Sequence, residues 1–87
     1  MTPYKLLISY DVVEFLESLK KSERLLLRKR FLEITDYPRR YSDYTEPDDV
    51  GRPLDISICG RFAIKFWEDH STMHLKILDV HLADRTR

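Results

Sequence analysis

Cysteine and glycine are scarce in this sequence: Cys59 is its one cysteine, and Gly51 and Gly60 are its two glycines among 87 residues. One cysteine forms no intramolecular disulfide and cannot supply a cysteine-based metal cluster, which favours a reducing compartment. Two separated glycines cannot build the glycine-rich loops that hold nucleotide phosphates. We therefore predict a chain without disulfides, without a bound nucleotide and without any other cofactor.

Long hydrophobic runs and an excess of charge of one sign are also missing. Fifteen lysines and arginines balance fifteen aspartates and glutamates, which argues against strong sequence-independent attraction to nucleic acid. No run approaches the roughly 20 apolar residues that span a bilayer. Lys5 interrupts the short apolar stretch where a secretory leader would have its hydrophobic segment. These absences predict a cytoplasmic protein that does not insert into membranes.

Charge is nevertheless unevenly distributed along the chain. Residues 20–30 carry six basic side chains and one acidic side chain, whereas residues 43–49 carry four acidic side chains and no basic one. Such blocks are most often solvated helix faces or polar loops. The alternative is that one of them is a surface that binds a partner.

The chain length and the apolar content predict one α+β domain that covers residues 1–87. Hydrophobic residues make up 43% of the sequence, which is enough for one core, and the length leaves no room for a second. Alternation of apolar and polar residues predicts a first strand over residues 4–10. Asp11, with Glu14 three residues later, has the spacing of a capping box and predicts a short helix that reaches about residue 20.

A second helix is predicted from about residue 23 to residue 36, with Ser22 as its N-cap, because no glycine or proline occurs before Pro38. Its apolar arc is wider than one sheet face requires. The arc consists of two stripes with arginines between them: Leu27, Phe31 and Ile34 on one stripe, Leu25 and Leu32 on the other, and Arg24 and Arg28 between. Either the arginines extend over apolar neighbours into solvent, or the arc is a groove that receives another chain.

Residues 38–53 form a long connection that is expected to be functional or partly mobile. Residues 54–59 then alternate as a strand, Gly60 and Arg61 form a two-residue turn, and residues 62–67 continue as the next strand. A polar turn at residues 68–72 precedes a last strand over residues 73–82. The predicted order is therefore β-α-α-β-β-β, with a helical hairpin packed on an antiparallel meander to which the N-terminal strand is added.

The three histidines are too scattered for a zinc signature. His74 and His81 are seven residues apart on the last strand, which places them on opposite faces of a regular strand. The apolar pattern of that strand slips, since Leu75 and Val80 indicate opposite buried faces, and such a slip indicates a bulge. We predict no metal site, and we expect His70 to be a residue of the preceding turn.

The order of elements and several short segments resemble the RelE/ParE superfamily of bacterial toxin–antitoxin toxins. The segments are Ser9-Tyr10-Asp11, Leu16-Glu17-Ser18-Leu19, Tyr37-Pro38, Cys59-Gly60-Arg61-Phe62-Ala63-Ile64-Lys65-Phe66-Trp67 and the closing strand from Leu75 to Val80. The most telling of them is the glycine turn followed by an arginine and an aromatic strand. The resemblance covers nearly the whole chain.

The resemblance implies a toxin that a cognate antitoxin protein neutralises by wrapping the helical hairpin and the sheet. The wide arc of the second helix then predicts that the antitoxin binds the side that carries Leu25, Arg28 and Leu32. For the RelE branch the resemblance implies cleavage of messenger RNA on the ribosome by basic side chains of the sheet. Such cleavage requires cations that hold the phosphate and groups that transfer protons.

The residues of this chain that match such a site are Arg61, Lys65, Lys76 and His81. Arg61 follows the turn glycine directly, one position earlier than is usual in the nuclease branch. Asp55 and Ser57 occupy the strand on which the family's nucleases carry basic residues, and the C-terminal residues 84–87 include no aromatic side chain.

Two further functions need no catalytic residues. A ParE-like toxin inhibits DNA gyrase through protein contacts, and a non-toxic relative only binds a partner. Trp67, Tyr41 and Tyr44 are suitable for such contacts, because amphipathic aromatic residues anchor interfaces, although Trp67 is also a candidate core residue.

Overall fold

The computed structural model describes residues 3–83, which form one five-stranded mixed sheet with two helices on one of its faces. The elements are β1 (Lys5–Ile8), α1 (Tyr10–Glu17), α2 (Lys21–Asp36), β2 (Tyr44–Pro47), β3 (Pro53–Cys59), β4 (Phe62–Asp69) and β5 (His74–Leu82). The sheet order is β1-β5-β4-β3-β2, with β1 parallel to β5 and the other neighbours antiparallel. This is the α+β architecture predicted from the sequence, with one additional strand. Neither helix within residues 3–83 is long and apolar enough to cross a membrane.

The first helix begins earlier than its acidic spacing predicted. Ser9 is the N-cap of α1, and its hydroxyl accepts a hydrogen bond from the amide of Val12 at 3.4 Å. A serine oxygen satisfies one of the free amides at a helix start, so the capping role assigned to Asp11 was wrong. Asp11 lies inside the first turn instead, where a carboxylate interacts favourably with the positive end of the helix.

The second helix also begins earlier than predicted. Lys20 occupies the N-cap position of α2 without a side-chain capping bond, and Ser22 lies inside the first turn. The amides of Glu23 and Arg24 bond to the carbonyl of Lys20. Leu27, Phe31 and Ile34 of this helix are fully buried, as the apolar stripe predicted.

The long connection after α2 contains a strand that the sequence analysis missed. Residues 44–47 pair with β3 at the edge of the sheet, with Tyr44 opposite Ile56 and Glu46 opposite Leu54. The strand is short, and Pro47 ends it, since proline cannot donate a backbone hydrogen bond and is tolerated at sheet edges. The hairpin loop that follows is closed by Asp48, whose carboxylate accepts the amide of Arg52 at 2.8 Å.

The predicted slip in the last strand is a β-bulge. Lys65 pairs with Asp79 and Phe66 with Ile77, so that Leu78 of β5 has no partner in the register. The bulge puts Leu75, Ile77 and Val80 into the same core. It also places His74 and His81 on the same face, but at opposite ends of the strand, roughly 20 Å apart by strand rise. Such a distance rules out a shared metal ion.

The two faces of the sheet carry different side chains. On the helix face, aromatic and aliphatic residues of β4 and β5 pack under α1 and α2 around Phe31 and Phe62. We call the other side the open face. It carries Tyr44, Glu46, Leu54, Ile56, Ile58, Ala63, Lys65, Trp67, Lys76, Asp79 and His81.

The strand register gives the orientation of β3. Asp55, Ser57 and Cys59 lie on the helix face, where Ser57 accepts a hydrogen bond from Arg30 of α2 at 3.2 Å and Cys59 packs in the core. Burial accordingly raises the pKa of the Cys59 thiol. The open face of β3 is apolar, so Asp55 and Ser57 do not stand where basic nuclease residues would be exposed. The C-terminal residues 84–87, which the sequence analysis compared with an aromatic family terminus, lie outside the described residues.

Candidate functional site on the open face

Four polar side chains form a row across the open face, which we call the open-face row: Glu46, Lys65, Asp79 and His81. Glu46 comes from the edge strand β2, Lys65 from the central strand β4, and Asp79 and His81 from β5. Regular alternation puts them on the same face, because residues two positions apart on a strand share a face. The row contains two carboxylates, an ammonium and an imidazole, which are groups used in general acid–base catalysis.

Lys65 connects the two sides of the row. Its Nζ lies 3.8 Å from Oε1 of Glu46, reaching across β3, where Ile56 pairs with Lys65 on one side and with Tyr44 on the other. Both side chains of this ion pair are partly buried: 27% of the Lys65 side chain and 36% of the Glu46 side chain is exposed. The long separation makes this a weak ion pair that a stronger anion can displace.

His81 and Asp79 form the other end of the row. The Nδ1 of His81 lies 2.9 Å from Oδ2 of Asp79, and Lys65 is directly opposite Asp79 in the register. His81 is therefore a diagonal neighbour of Lys65 across the two strands, and such neighbours have backbone positions about 7–8 Å apart. When Asp79 accepts the Nδ1 proton, the Nε2 of His81 is the ring nitrogen that points away from this contact.

Lys76 shares this face but is directed to the β4–β5 turn. Its Nζ lies 2.8 Å from Oδ2 of the buried Asp69 and 5.3 Å from the ring centre of Trp67. The Lys76 ammonium holds the pKa of Asp69 well below its usual range, and the Ser71 hydroxyl contributes a second hydrogen bond. Lys76 is accordingly bound into the structure beside Trp67, on whose ring Arg52 also stacks at 4.2 Å.

Arg61 is directed away from the open-face row. Its guanidinium makes two bonds to Glu23 near the start of α2, from Nε to Oε2 at 2.7 Å and from Nη2 to Oε1 at 3.1 Å. The hydrogen bonds from Arg61 lower the pKa of Glu23. Of the four side chains predicted as catalytic, Lys65 and His81 are thus diagonal neighbours on the open face, whereas Lys76 and Arg61 are held in other ion pairs.

A second candidate surface lies where α2 crosses the edge strand β1. Leu25, Arg28 and Leu32 are all exposed and follow one another along one side of α2. Arg28 and Leu32 also line a groove of about 200 Å³ together with Leu6, Ile8 and Phe31. The residues selected from the sequence as partner-binding therefore lie on one continuous, largely apolar surface.

A polar cluster on the helix face was not found from the sequence. The Nη2 of Arg39 lies 2.7 Å from Asp55 and 2.6 Å from Glu68, and Tyr4 donates to Glu68 at 3.0 Å while its oxygen lies 2.9 Å from His70. The two carboxylates raise the pKa of Arg39. The cluster ties the connection after α2 to β3 and β4, and no spacing in the sequence indicates it because the residues in contact are 16 to 66 positions apart.

Glu46 and Asp79 were also missed. Asp79 and His81 are two residues apart on a predicted strand, and this spacing was a usable signal for a pair on one face. No spacing in the sequence indicated Glu46, because residues 44–47 were predicted to belong to a loop and not to a strand.

Comparisons with known proteins identify the fold of this chain. No protein-family profile matches the chain, and no curated protein matches its sequence. Among solved structures, the chain is similar to the crystal structure of the archaeal RelE–RelB complex from Pyrococcus horikoshii OT3, with a TM-score of 0.74 and 22% identity over 98% of this chain and 100% of that chain. The chain therefore has a RelE-like fold, which confirms the fold implied by the sequence resemblance.

Proposed function

We propose that this chain is the toxin of a type II toxin–antitoxin pair and that its open-face row cleaves RNA. The observation that carries the proposal is the arrangement of Glu46, Lys65 and His81 on one open sheet face, which combines a base, a cation and a proton donor. The RelE-like fold supports the choice of toxin, since the similar archaeal protein is a RelE in complex with RelB.

The proposed reaction uses the 2′-hydroxyl of the ribose as nucleophile. The Glu46 carboxylate accepts the hydroxyl proton, the 2′ oxygen bonds to phosphorus, and the bond from phosphorus to the 5′ oxygen breaks. Protonated His81 gives its proton to the leaving 5′ oxygen, so the products are a 2′,3′-cyclic phosphate and a 5′-hydroxyl. Lys65, between them, stabilises the negative charge that develops on the non-bridging oxygens.

The charge of the chain predicts a strong dependence on how RNA is delivered. Fifteen basic residues are offset by fifteen acidic ones, and a polyanion is attracted in proportion to the cations that are not offset. We expect little cleavage of free RNA and efficient cleavage only when a large partner holds the message against the open face. The ribosome, which the resemblance to RelE implies, is the partner we propose.

The antitoxin is proposed to occupy the groove between α2 and β1. The exposed leucines Leu25 and Leu32 provide its apolar contacts, and the exposed cations Lys21, Arg28 and Lys29 surround them. A segment in which acidic residues alternate with apolar ones matches this surface in both charge and hydrophobicity.

One observation favours a second candidate function without catalysis. Each selected cation lies within 4 Å of a carboxylate: Arg61 of Glu23, Lys65 of Glu46, Lys76 of Asp69 and His81 of Asp79. Such pairing is typical of structural ion pairs and lowers the attraction for phosphate. A toxin that binds DNA gyrase or another protein would need none of these cations to be free.

Cleavage by purified protein separates the two candidates. The chain is incubated with bacterial ribosomes that carry a defined message, and message ends are mapped by primer extension. We expect cleavage by the wild type and a loss of about 100-fold or more in Glu46→Gln, Lys65→Gln and His81→Gln, which is the usual effect of removing a proton-transfer group or its cation.

The matched control is Lys29→Gln, which removes one exposed positive charge from the outer surface of α2 and should cleave like the wild type. Intact messages with the wild-type chain, or equal cleavage by all variants, would contradict the ribonuclease proposal. Inhibition of supercoiling by gyrase at micromolar protein, with messages intact, would support the second candidate instead.

A further inference from the structure

We propose that a pocket beside Lys65 receives a nucleobase of the bound RNA and that Asp49 selects bases that carry an exocyclic amino group. The pocket has a volume of about 480 Å³ and lies on the open face, between the loop at residues 48–52 and the bulge at Leu78. We call it the loop pocket. The proposal rests on the proposed ribonuclease function, because Lys65 lines the loop pocket and also belongs to the open-face row. It goes beyond that function by naming the part of the substrate that is read and the residue that reads it.

The walls of the loop pocket are largely apolar. Leu54 of β3 is buried on the open face, and Leu78 of β5, which the bulge leaves without a partner in the register, is half-buried. Pro47 and Val50 line the pocket from the side of the hairpin, and Val50 is 84% exposed. Pockets of this size with mainly apolar walls and few polar groups bind small organic ligands. Unpaired nucleobases fit such walls, since proteins hold them between apolar and aromatic side chains.

The loop that forms the outer wall is fixed by its own hydrogen bonds. The carboxylate of Asp48 accepts the amide of Val50 at 3.0 Å, the amide of Arg52 at 2.8 Å and the Nε of Arg52 at 2.8 Å. The guanidinium of Arg52 also lies 4.2 Å from the ring centre of Trp67, which attaches the loop to β4. A wall that is already ordered loses little conformational freedom when a ligand binds. Asp49, inside this loop, is therefore held at the pocket before RNA arrives.

Asp49 supplies the polar contact of the loop pocket. It lines the pocket, and unlike Asp48 its carboxylate makes no hydrogen bond or ion pair with any of residues 3–83. A carboxylate accepts a hydrogen bond from an exocyclic amino group such as that of cytosine, whereas uracil carries a carbonyl oxygen at the same position of the ring. The negative charge of Asp49 repels a phosphate, so the pocket suits a base, while Lys65 at its border holds the adjoining phosphate.

Binding of two RNAs of equal length tests the proposal without requiring turnover. Fluorescein-labelled ten-nucleotide chains of cytidine and of uridine are titrated with the purified full chain at neutral pH and low salt, and binding is followed by fluorescence anisotropy. We expect the wild type to bind the cytidine RNA about fivefold more tightly than the uridine RNA, the effect of one hydrogen bond to a charged acceptor. In Asp49→Asn this ratio should fall to about one, because an amide both accepts from an amino group and donates to a carbonyl oxygen.

Two variants control for charge and for the apolar walls. Asp36→Asn removes the same negative charge from an exposed position in the last turn of α2, on the other side of the sheet, and should leave the ratio of the two affinities unchanged. Leu78→Ala removes an apolar contact with either base, so we expect it to weaken binding of both RNAs by about threefold and to keep their ratio. Thermal unfolding verifies that all variants are folded.

The outcomes separate this proposal from the proposed function. Equal affinity of the wild type for the two RNAs, or a ratio that Asp49→Asn changes no more than Asp36→Asn does, would overturn the reading of bases by Asp49, even if Lys65→Gln weakens binding of both RNAs. Unchanged binding of both RNAs by folded Leu78→Ala would show that no base enters the loop pocket. Wild-type binding that Lys65→Gln leaves unchanged, or no binding at low salt, would overturn the assignment of the open face to RNA, and the loop pocket with it.

Discussion

At the scale of single residues, the position of a nearby carboxylate determines which way each basic side chain points. Lys76 is turned to Asp69, Arg61 to Glu23 and Arg39 to Asp55 and Glu68, whereas Lys65 makes only a long contact of 3.8 Å with Glu46. A sequence shows which cations exist, but their direction depends on partners that are distant in the chain. This is why residue type alone selected four candidate cations and could not separate Lys65 from Lys76.

The Lys76–Asp69 ion pair predicts how stability depends on pH. The pKa of Asp69 is lowered in the folded chain from 3.8 in the unfolded chain, so its contribution to stability is complete above that value and is lost as the pH falls through and below it. We expect the melting temperature of the wild type to fall more steeply between pH 5 and about pH 2 than that of Lys76→Met.

The comparison requires melting curves of both proteins over this pH range, recorded by circular dichroism. Because Lys76→Met keeps the length of the side chain over Trp67, packing is largely retained. Parallel curves for the two proteins would show that the ion pair does not stabilise the folded chain.

At the scale of elements, the period of the apolar residues was sufficient to predict a helix or strand where one face of that element is buried. The apolar pattern predicted three such features: the strand with Phe62, Ile64 and Phe66, the stripe of Leu27 and Phe31 on α2, and the bulge in the last strand. The edge strand β2 was missed because its pairing partner, and not its own four residues, makes it a strand. The start of α1 was misplaced because Ser9 and Asp11 are both residue types that cap helices, and the start of α2 was misplaced because that helix begins without a side-chain cap.

The proposed antitoxin surface gives a prediction for α2. Leu32→Asp would place a carboxylate in the groove against the proposed acidic partner segment, and we expect the affinity for a cognate antitoxin to fall by about 100-fold or more, the effect of losing a central apolar contact. Isothermal titration calorimetry measures the change.

The matched control is Leu26→Asp, an exposed leucine that lies beside Gly60, about 120° around the same helix from Leu32. It should leave the affinity within a few-fold of the wild type. If Leu32→Asp and Leu26→Asp bind the antitoxin equally well, and both are folded, the groove is not the binding site.

The cluster around Arg39 gives a prediction for the connection between α2 and β3. Arg39→Met leaves Asp55 and Glu68, whose side chains are only 11% and 16% exposed, without their cation. We expect a loss of about 1–3 kcal/mol in the free energy of unfolding. Hydrogen exchange should accelerate in residues 37–47, because the cluster fixes that segment to the sheet.

The neighbouring Arg40 provides the control. Its guanidinium lies over the ring of Tyr37 at 4.6 Å, and Arg40→Met should change the free energy of unfolding by less than about 1 kcal/mol. Chemical denaturation of the three proteins gives the comparison. An Arg39→Met variant as stable as Arg40→Met would mean that the cluster does not hold the connection.

At the scale of the whole molecule, the structure separates two surfaces. The groove between α2 and β1 is on the helix side, and the open-face row is on the other side of the sheet. A partner can therefore occupy the groove while the row is still exposed, unless the partner also wraps the sheet. The fold was predictable from the sequence, since both strand alternation and the family resemblance pointed to it. The open-face row was only partly predictable, since it depends on the unpredicted strand β2 and on which carboxylate each cation contacts.

The most direct test of the proposed function is induced expression of this chain alone in a bacterium, with growth, message integrity and DNA supercoiling followed together. We expect growth arrest with cleaved messages for the wild type, and normal growth for the folded double variant Lys65→Gln with His81→Gln. Normal growth with the wild-type chain, or arrest with intact messages and altered supercoiling, would contradict it.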